Sequence, residues 1–133
     1  PLDWLKRQFQ REFTPEETAW FKKVFRVTDR IRKILTGKFY PLTAPAGLSE
    51  TIWTAYEGFN PDSGEGFAAF FRRRKAAPAM TFELQSIDPD AEYEVEDAST
   101  GNIDILSGRS LASFTVSFGK TPDGKIIFFR KIG

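Results

Sequence analysis

Charged side chains are the residues with the most potential for chemistry, and the first group is basic. Four cations follow the apolar run GFAAFF directly: Arg72, Arg73, Arg74 and Lys75. Such a run can bind a phosphate, but it has no glycine-rich loop and no interleaved aromatic side chains of the kind that single-strand binders use. We interpret it as the solvated end of a strand. An anion site and an ion pair with Glu57 or Glu83 are the alternatives.

The second group is acidic and has six members: Asp88, Asp90, Glu92, Glu94, Glu96 and Asp97. Glycoside hydrolysis needs two carboxyl groups that face one cleft, roughly 5–10 Å apart. Here the glutamates alternate along EYEVED, which places them on the exposed face of a strand. The loops DPDAE and NPDSGE lack the D-x-D-x-D-G spacing of a calcium loop. We therefore interpret the acidic residues as solvated strand and turn positions.

Aromatic side chains are the remaining candidates, because they can stack on sugars. Trp53 and Tyr56 are three residues apart in one strand, so they lie on opposite faces and cannot form one platform. Trp4 and Trp20 fall in helical segments that need apolar residues. We expect core or interdomain packing for these aromatic residues, with a sugar contact as the alternative.

The composition excludes several classes of chemistry. The chain has no His and no Cys, which rules out a Ser-His-Asp triad, thiol catalysis and thiolate metal sites. The net charge of +1 gives no global field for nucleic acid. No apolar run is long enough to span a membrane. With 133 residues, one domain is expected, and the start at Pro1 reads as a piece of a longer protein.

Two helices are predicted at the beginning of the chain. The first covers DWLKRQFQREF, and the second starts at TPEE, where Thr14 is the N-cap and Glu17 completes a capping box. The second helix runs to about Leu35 and is followed by Gly37. Its apolar stripe has five members: Trp20, Val24, Val27, Ile31 and Ile34.

From about residue 52 the apolar period changes to two, which predicts antiparallel strands. Turn sequences at 60–66, 88–91, 99–102, 106–109 and 121–125 separate the runs. Seven or eight short strands at this spacing predict a mainly β protein with an antiparallel two-sheet β-sandwich. Strands 52–59, 66–71 and 126–132 are apolar on both faces. Because such a sheet needs a cover, we expect the N-terminal helices to pack on it.

The order of several short motifs resembles the C-terminal part of bacterial α-galactosidase (melibiase)-type glycoside hydrolases, the family 36 group. The matching positions are the connector Phe39–Leu42, Trp53 and Tyr56, the hairpin end Phe71–Arg73, and Leu84, Ile87, Asp88, Pro89, Ala91, Tyr93 and Val95. Ser86 stands where that family often has Gly.

The resemblance implies a division into 1–37, the terminal helices of a catalytic barrel, 38–51, a connector, and 52–133, a C-terminal β-sandwich. No position matches the family's catalytic aspartates, so we expect no catalytic, cofactor-binding or metal-binding residue in this chain. The implied function is a non-catalytic accessory domain that packs against the upstream barrel of the same polypeptide. The alternatives are a carbohydrate-binding module and an oligomerisation domain.

Overall fold

A computed structural model of the chain describes residues 2–9, 12–43, 53–73, 76–118 and 123–132. The chain forms two compact units, Pro1–Lys33 and Ile34–Gly133, and each is described by itself. None of the helices within the described ranges combines the length and the apolar character needed to cross a membrane. The placement of the helical segment on the sandwich and the domain boundaries 1–37, 38–51 and 52–133 stay predictions.

The first unit is helical. Helix α1 spans Leu2–Phe9 and helix α2 spans Pro15–Ile34. The predicted capping box is confirmed, because the Thr14 N–H donates to Glu17 Oε1 at 3.0 Å and the Glu17 N–H donates to Thr14 Oγ1 at 3.1 Å. Trp20 is 59% exposed, so core packing of Trp20 is excluded within the described residues, and its interdomain packing stays a prediction.

The second unit contains eight strands within the described residues: β1 Lys38–Pro41, β2 Thr54–Asn60, β3 Glu65–Arg72, β4 Ala79–Glu83, β5 Glu92–Asp97, β6 Ile103–Ser107, β7 Ser113–Ser117 and β8 Asp123–Lys131. Six of them form one sheet in the order β1-β2-β3-β8-β5-β6, and β4 pairs with β7 in a second sheet. Every pairing is antiparallel. The predicted mainly β, two-sheet architecture is confirmed.

The core lies between the two sheets and is rich in aromatic rings. The Phe70 ring lies 4.9 Å from that of Phe82 and 5.7 Å from that of Phe114, which joins β3 to both strands of the small sheet. Trp53 packs on Phe82 and Phe118 in the same layer. The alternation of the 112–118 run predicts Phe114 and Val116 as inward residues of β7, and both lie at the core.

One part of the fold differs from the sequence-based expectation. The segment LSGR was predicted as a turn, but it leads from β6 into a short helix, α3, at Gly108–Ala112. Ser107 caps α3, since its Oγ accepts from the Ser110 N–H at 3.2 Å. A Cβ at Gly108 would lie 1.9 Å from the Asp88 carbonyl oxygen. Glycine is therefore required sterically where α3 meets the 88–91 turn.

Candidate functional site

The basic run has a structural role at its first residue. Arg72 is half-buried at the end of β3 and donates to two backbone carbonyls. Its Nε and Nη2 reach Ala76 O at 3.2 and 3.0 Å, and its Nη1 reaches Phe118 O at 3.0 Å. Arg72 lies at the end of β3 as predicted, but its side chain is held by carbonyl groups instead of solvent, and no ion pair with Glu57 or Glu83 is found among the described residues. Arg74 and Lys75 lie outside the described residues.

The turn at 88–91 gives structural roles to several residues of the motif on which the family resemblance depends. Asp88 Oδ1 accepts from the Asp90 N–H at 2.9 Å, and the Asp88 N–H donates to Tyr93 Oη at 2.9 Å. Ala91 and Tyr93 are buried beneath the turn. The Asp90 N–H, followed by the Lys131 ammonium, lowers the pKa of Asp88. These contacts support the interpretation of DPDAE as turn chemistry.

The loop NPDSGE is also a turn. Asn60 Oδ1 accepts from the Asp62 N–H at 2.9 Å, and Gly64 adopts a φ of 72°, a left-handed conformation that suits glycine. Across the part of the chain that the structure describes, no group of three or more Asp and Glu side chains could hold a metal ion.

The acidic stretch divides between the two faces of β5. Tyr93 and Val95 point into the core, so the glutamates occupy the opposite face, as predicted. Arg130 on β8 pairs with Glu94 at 3.2 Å on that face. Asp97 has the parity of Tyr93 and Val95 instead, so it lies at the end of the inner row. Asp97 therefore differs from the glutamates in its face but not in its exposure, since its side chain is 28% exposed and that of Glu94 is 32% exposed.

The two strand aromatics separate as predicted. Trp53 is 2% exposed, and its Nε1–H donates to Ala77 O at 2.9 Å, which makes it a core residue. Tyr56 is 38% exposed on the outer face of the six-stranded sheet, where its ring lies 5.8 Å from that of Phe39. A sugar platform that includes Trp53 is therefore excluded.

Glu57 is a buried carboxylate that the sequence reading considered only as an ion-pair partner. It is 0% exposed on the inner face of β2. Its Oε1 accepts from the Gln85 N–H at 2.5 Å, and its Oε2 accepts from the Ser86 N–H at 2.9 Å and from the Ser86 hydroxyl. Because every contact is a backbone or hydroxyl donor, Glu57 anchors the segment after β4 to the large sheet. An acidic residue at an inward strand position was the available signal.

A cleft of about 220 Å³ opens between the sheets at one end of the sandwich, and we call it the inter-sheet cleft. Its lining residues are Val95, Asp97, Thr100, Asn102, Asp104, Leu106, Phe114, Lys125 and Ile127. On three neighbouring strands the inner row changes from an apolar to a charged residue at this end: Val95 to Asp97, Leu106 to Asp104, and Ile127 to Lys125. The cleft therefore has an apolar floor and a charged rim.

Two charged side chains of the rim form an ion pair, and one of them also accepts hydrogen bonds. Lys125 Nζ lies 3.6 Å from Asp97 Oδ2, and Asp97 Oδ1 accepts from the Ser99 N–H at 2.8 Å and the Ser99 hydroxyl at 2.6 Å. Burial alone would raise the pKa of Asp97, but the Ser99 hydrogen bonds and the Lys125 charge outweigh it and lower that pKa. Asp97 is therefore an ionised group that orients Lys125.

Comparison with known proteins gives a fold assignment. No family model matches the chain, and no curated protein sequence matches it. Among solved structures, the GH36 α-galactosidase AgaB from Geobacillus stearothermophilus matches 91% of this chain at a TM-score of 0.69 and 21% identity. AgaA from the same organism matches 91% at 0.68 and 20%. An α-galactosidase from Lactobacillus brevis matches 91% at 0.64 and 19%.

These matches confirm the resemblance read from the sequence at the level of fold. The chain is a β-sandwich protein with the fold found in part of GH36 α-galactosidases. It spans only 16% of the AgaB chain and 17% of the AgaA and L. brevis chains. The activity of those enzymes therefore belongs to polypeptides about six times longer than the matched segment.

Proposed function

We propose that this chain is a non-catalytic C-terminal accessory domain of an α-galactosidase-like glycosidase, and that it packs against the catalytic barrel of the same polypeptide. Two observations support the proposal. The fold matches a small segment of GH36 enzymes, and a solvent-exposed aromatic surface is present on the large sheet. The second observation carries the docking part of the proposal, because it identifies the surface involved.

This outer aromatic patch consists of Phe39, Tyr56 and Phe71, which are 51%, 38% and 41% exposed. The strand register places them on one face, since Phe39 is opposite Gly58, and Tyr56 and Phe71 are opposite Ala69 and Thr54. Phe71 also lies across Gly124 of β8. Three exposed rings on adjacent strands form the kind of contiguous apolar area that marks a protein contact.

The chemistry of the patch favours another protein surface over a sugar. The Phe39 and Tyr56 rings stack on each other at 28° and lie beside aliphatic neighbours on the same face, such as Pro41, Ala69 and Ile126. A sugar site also needs hydrogen-bonding groups to fix the hydroxyls. The flank of an α/β barrel supplies apolar helix surface of the matching kind.

The test compares the full polypeptide encoded by the gene with the 133-residue chain. Phe71→Lys places a charge on the patch, and Ser117→Lys places one on an exposed position of β7 as a control. We expect Phe71→Lys to lower the melting temperature of the full polypeptide, while Ser117→Lys has little effect on it. Neither change should strongly affect the 133-residue chain, because Phe71 and Ser117 are both exposed in it.

Three outcomes would contradict the proposal. If the full polypeptide tolerates Phe71→Lys as well as Ser117→Lys, the patch does not face the barrel. If the sequence preceding Pro1 encodes no barrel, the accessory role fails. If the 133-residue chain itself hydrolyses p-nitrophenyl α-D-galactoside, the domain is catalytic.

A further inference from the structure

The inter-sheet cleft combines an open space with charged side chains, which a domain that only packs against a barrel does not need. It lies between the two sheets at one end of the sandwich, and its charged residues come from three strands of the large sheet. We propose that the cleft is a non-catalytic binding site for a single pyranose ring of a neutral sugar. Sugar binding at the cleft would involve only the cleft residues, so it does not depend on whether the chain packs against a barrel.

The size of the cleft fits one ring. Its volume of about 220 Å³ is about seven times the ~30 Å³ that one water molecule occupies in the liquid. That space is of the order needed for a single sugar ring, and the cleft is open to solvent at its rim. A longer glycan would therefore enter by its terminal residue and leave the rest in solvent.

The floor of the cleft suits the C–H face of a sugar. Its apolar contact surface comes from the half-buried side chains of Leu106 and Phe114, because Val95 and Ile127 are only 7% and 1% exposed. Phe114 is the aromatic contributor and comes from β7 of the opposite sheet. Apolar walls of this kind exclude water from one face of a ring, while the hydroxyl groups at its edge stay available for hydrogen bonds.

The rim supplies both donors and acceptors. The Asn102 carboxamide can donate and accept, the Asp104 carboxylate accepts, and the Lys125 ammonium donates. Within the described part of the chain, the side chains of Asn102 and Asp104 have no hydrogen-bond or ion-pair partner. Vicinal hydroxyl groups of a sugar can donate to a carboxylate and accept from an amide at the same time, which matches this pair.

The charge of the rim argues against ions as the ligand. Asp97 and Asp104 oppose one ammonium, so an anion would meet excess negative charge. A cation would require more carboxylate ligands than the described residues bring together, since no group of three acidic side chains is suitably placed. A neutral molecule that carries many hydroxyl groups avoids both problems.

Asp97 is not suited to be the proton donor of a hydrolysis. Hydrolysis requires one carboxyl group that holds a proton for the leaving oxygen. The pKa of Asp97 is lowered, because the Ser99 hydrogen bonds and Lys125 outweigh the effect of burial. Asp97 therefore stays ionised and serves to position Lys125.

The test is an NMR titration of the 133-residue chain with D-galactose and, separately, D-glucose. We expect saturable amide shifts in residues 95–106, 114 and 125–127 for at least one sugar, with a Kd of about 1–10 mM, as is typical of a single shallow sugar contact. 1,4-Dioxane has a six-membered ring without hydroxyl groups and should give no saturable shift. Asn102→Ala and Asp104→Asn should each weaken binding about ten-fold or more.

The control variant is Asp62→Asn, which changes an exposed carboxylate in the 60–64 turn and should leave binding unchanged. Amide spectra of all variants verify that each remains folded. The proposal is overturned if neither sugar gives saturable shifts, or if dioxane gives the same shifts. It is equally overturned if the shifts centre on Tyr56 instead of the cleft, or if both cleft variants bind like the unchanged chain.

Discussion

Phe70 and Phe71 are adjacent in β3, yet they belong to two surfaces with different demands on the chain. Phe70 is fully buried between the sheets and touches the rings of Phe82 and Phe114. Phe71 is 41% exposed on the outer face and lies over Gly124. Phe70 is therefore enclosed within this chain, whereas the Phe71 ring stays partly in solvent.

The two faces also differ in the hydrogen-bond partners of their buried polar groups. On the inner face, even the carboxylate of Glu57 is buried, with each oxygen facing donors from residues 85 and 86. On the outer face, Thr54 Oγ1 is buried without a hydrogen-bond partner in the described part of the structure. The buried carboxylate of the inner face therefore has hydrogen-bond partners for both of its oxygens, which fits a folding core. The outer face therefore has a buried hydroxyl group without such a partner, which fits a surface that contacts another protein domain.

The largest effect is expected for Phe70→Ala. Removing this ring leaves a cavity against Phe82 and Phe114, and truncations of this kind cost about 3–5 kcal/mol. The free energy of unfolding from urea titration measures the change. A loss below about 1 kcal/mol would show that the two sheets are not packed through Phe70.

Glu57→Gln should have the next largest effect. The variant keeps the shape but places an amide NH₂ group against the N–H groups of Gln85 and Ser86. We expect a loss of about 2–3 kcal/mol, because a buried donor then has no acceptor. Glu83→Gln is the matched control, since Glu83 is exposed on β4, and it should change stability by less than about 0.5 kcal/mol. Equal effects of the two variants in urea titrations would contradict the anchoring role of Glu57.

A structural feature could be predicted from the sequence where the residues that form it are close together in the chain. The Thr14–Glu17 capping box, the alternation of β5 and the turns at Asn60 and Asp88 involve residues a few positions apart, and all were predictable. The donors to Glu57 lie 28 and 29 positions away, so its parity indicated an inward position but not its partners.

The inter-sheet cleft is the extreme case of a non-local feature. Asp97, Asp104 and Lys125 converge only because the sheet order places β5 between β8 and β6. Local patterns do not determine that order. Likewise, Arg72 reads as part of a basic run, but the carbonyl of Phe118 that it binds comes from 46 positions away.

Arg72→Met should have an intermediate effect on stability. It keeps much of the apolar stem but removes the donors to Ala76 O and Phe118 O, for which we expect a loss of about 1–2 kcal/mol. The measurement is again the free energy of unfolding. Arg109→Met is the control, because within the described residues the side chain of Arg109 makes one exposed ion pair, with Asp90. A loss as small as that of the control would mean that Arg72 is solvated, as the sequence alone suggested.

Acid should cause a smaller loss, through Asp97 and Asp88. The folded-state pKa of each is below the ordinary value of 3.8. Each carboxylate therefore contributes stability that is complete above about that pH and is lost as the pH falls through the lowered value. Urea midpoints across this range should fall more steeply for the unchanged chain than for Asp97→Asn. Parallel curves would show that the contacts of Asp97 with Ser99 and Lys125 have no net effect on stability.

Phe71→Ala should have the smallest effect, and it sharpens the comparison with its neighbour. Within the 133-residue chain, the ring is 41% exposed and lies against Gly124, so we expect a change within about 0.5 kcal/mol. The same substitution in the full polypeptide should cost more, because there the ring would be buried against the barrel. If Phe71→Ala and Phe70→Ala destabilise the isolated chain equally, the outer face is part of the folding core and the distinction between the two faces fails. If Phe71→Ala is silent in both contexts, the exposed rings serve no contact with the barrel.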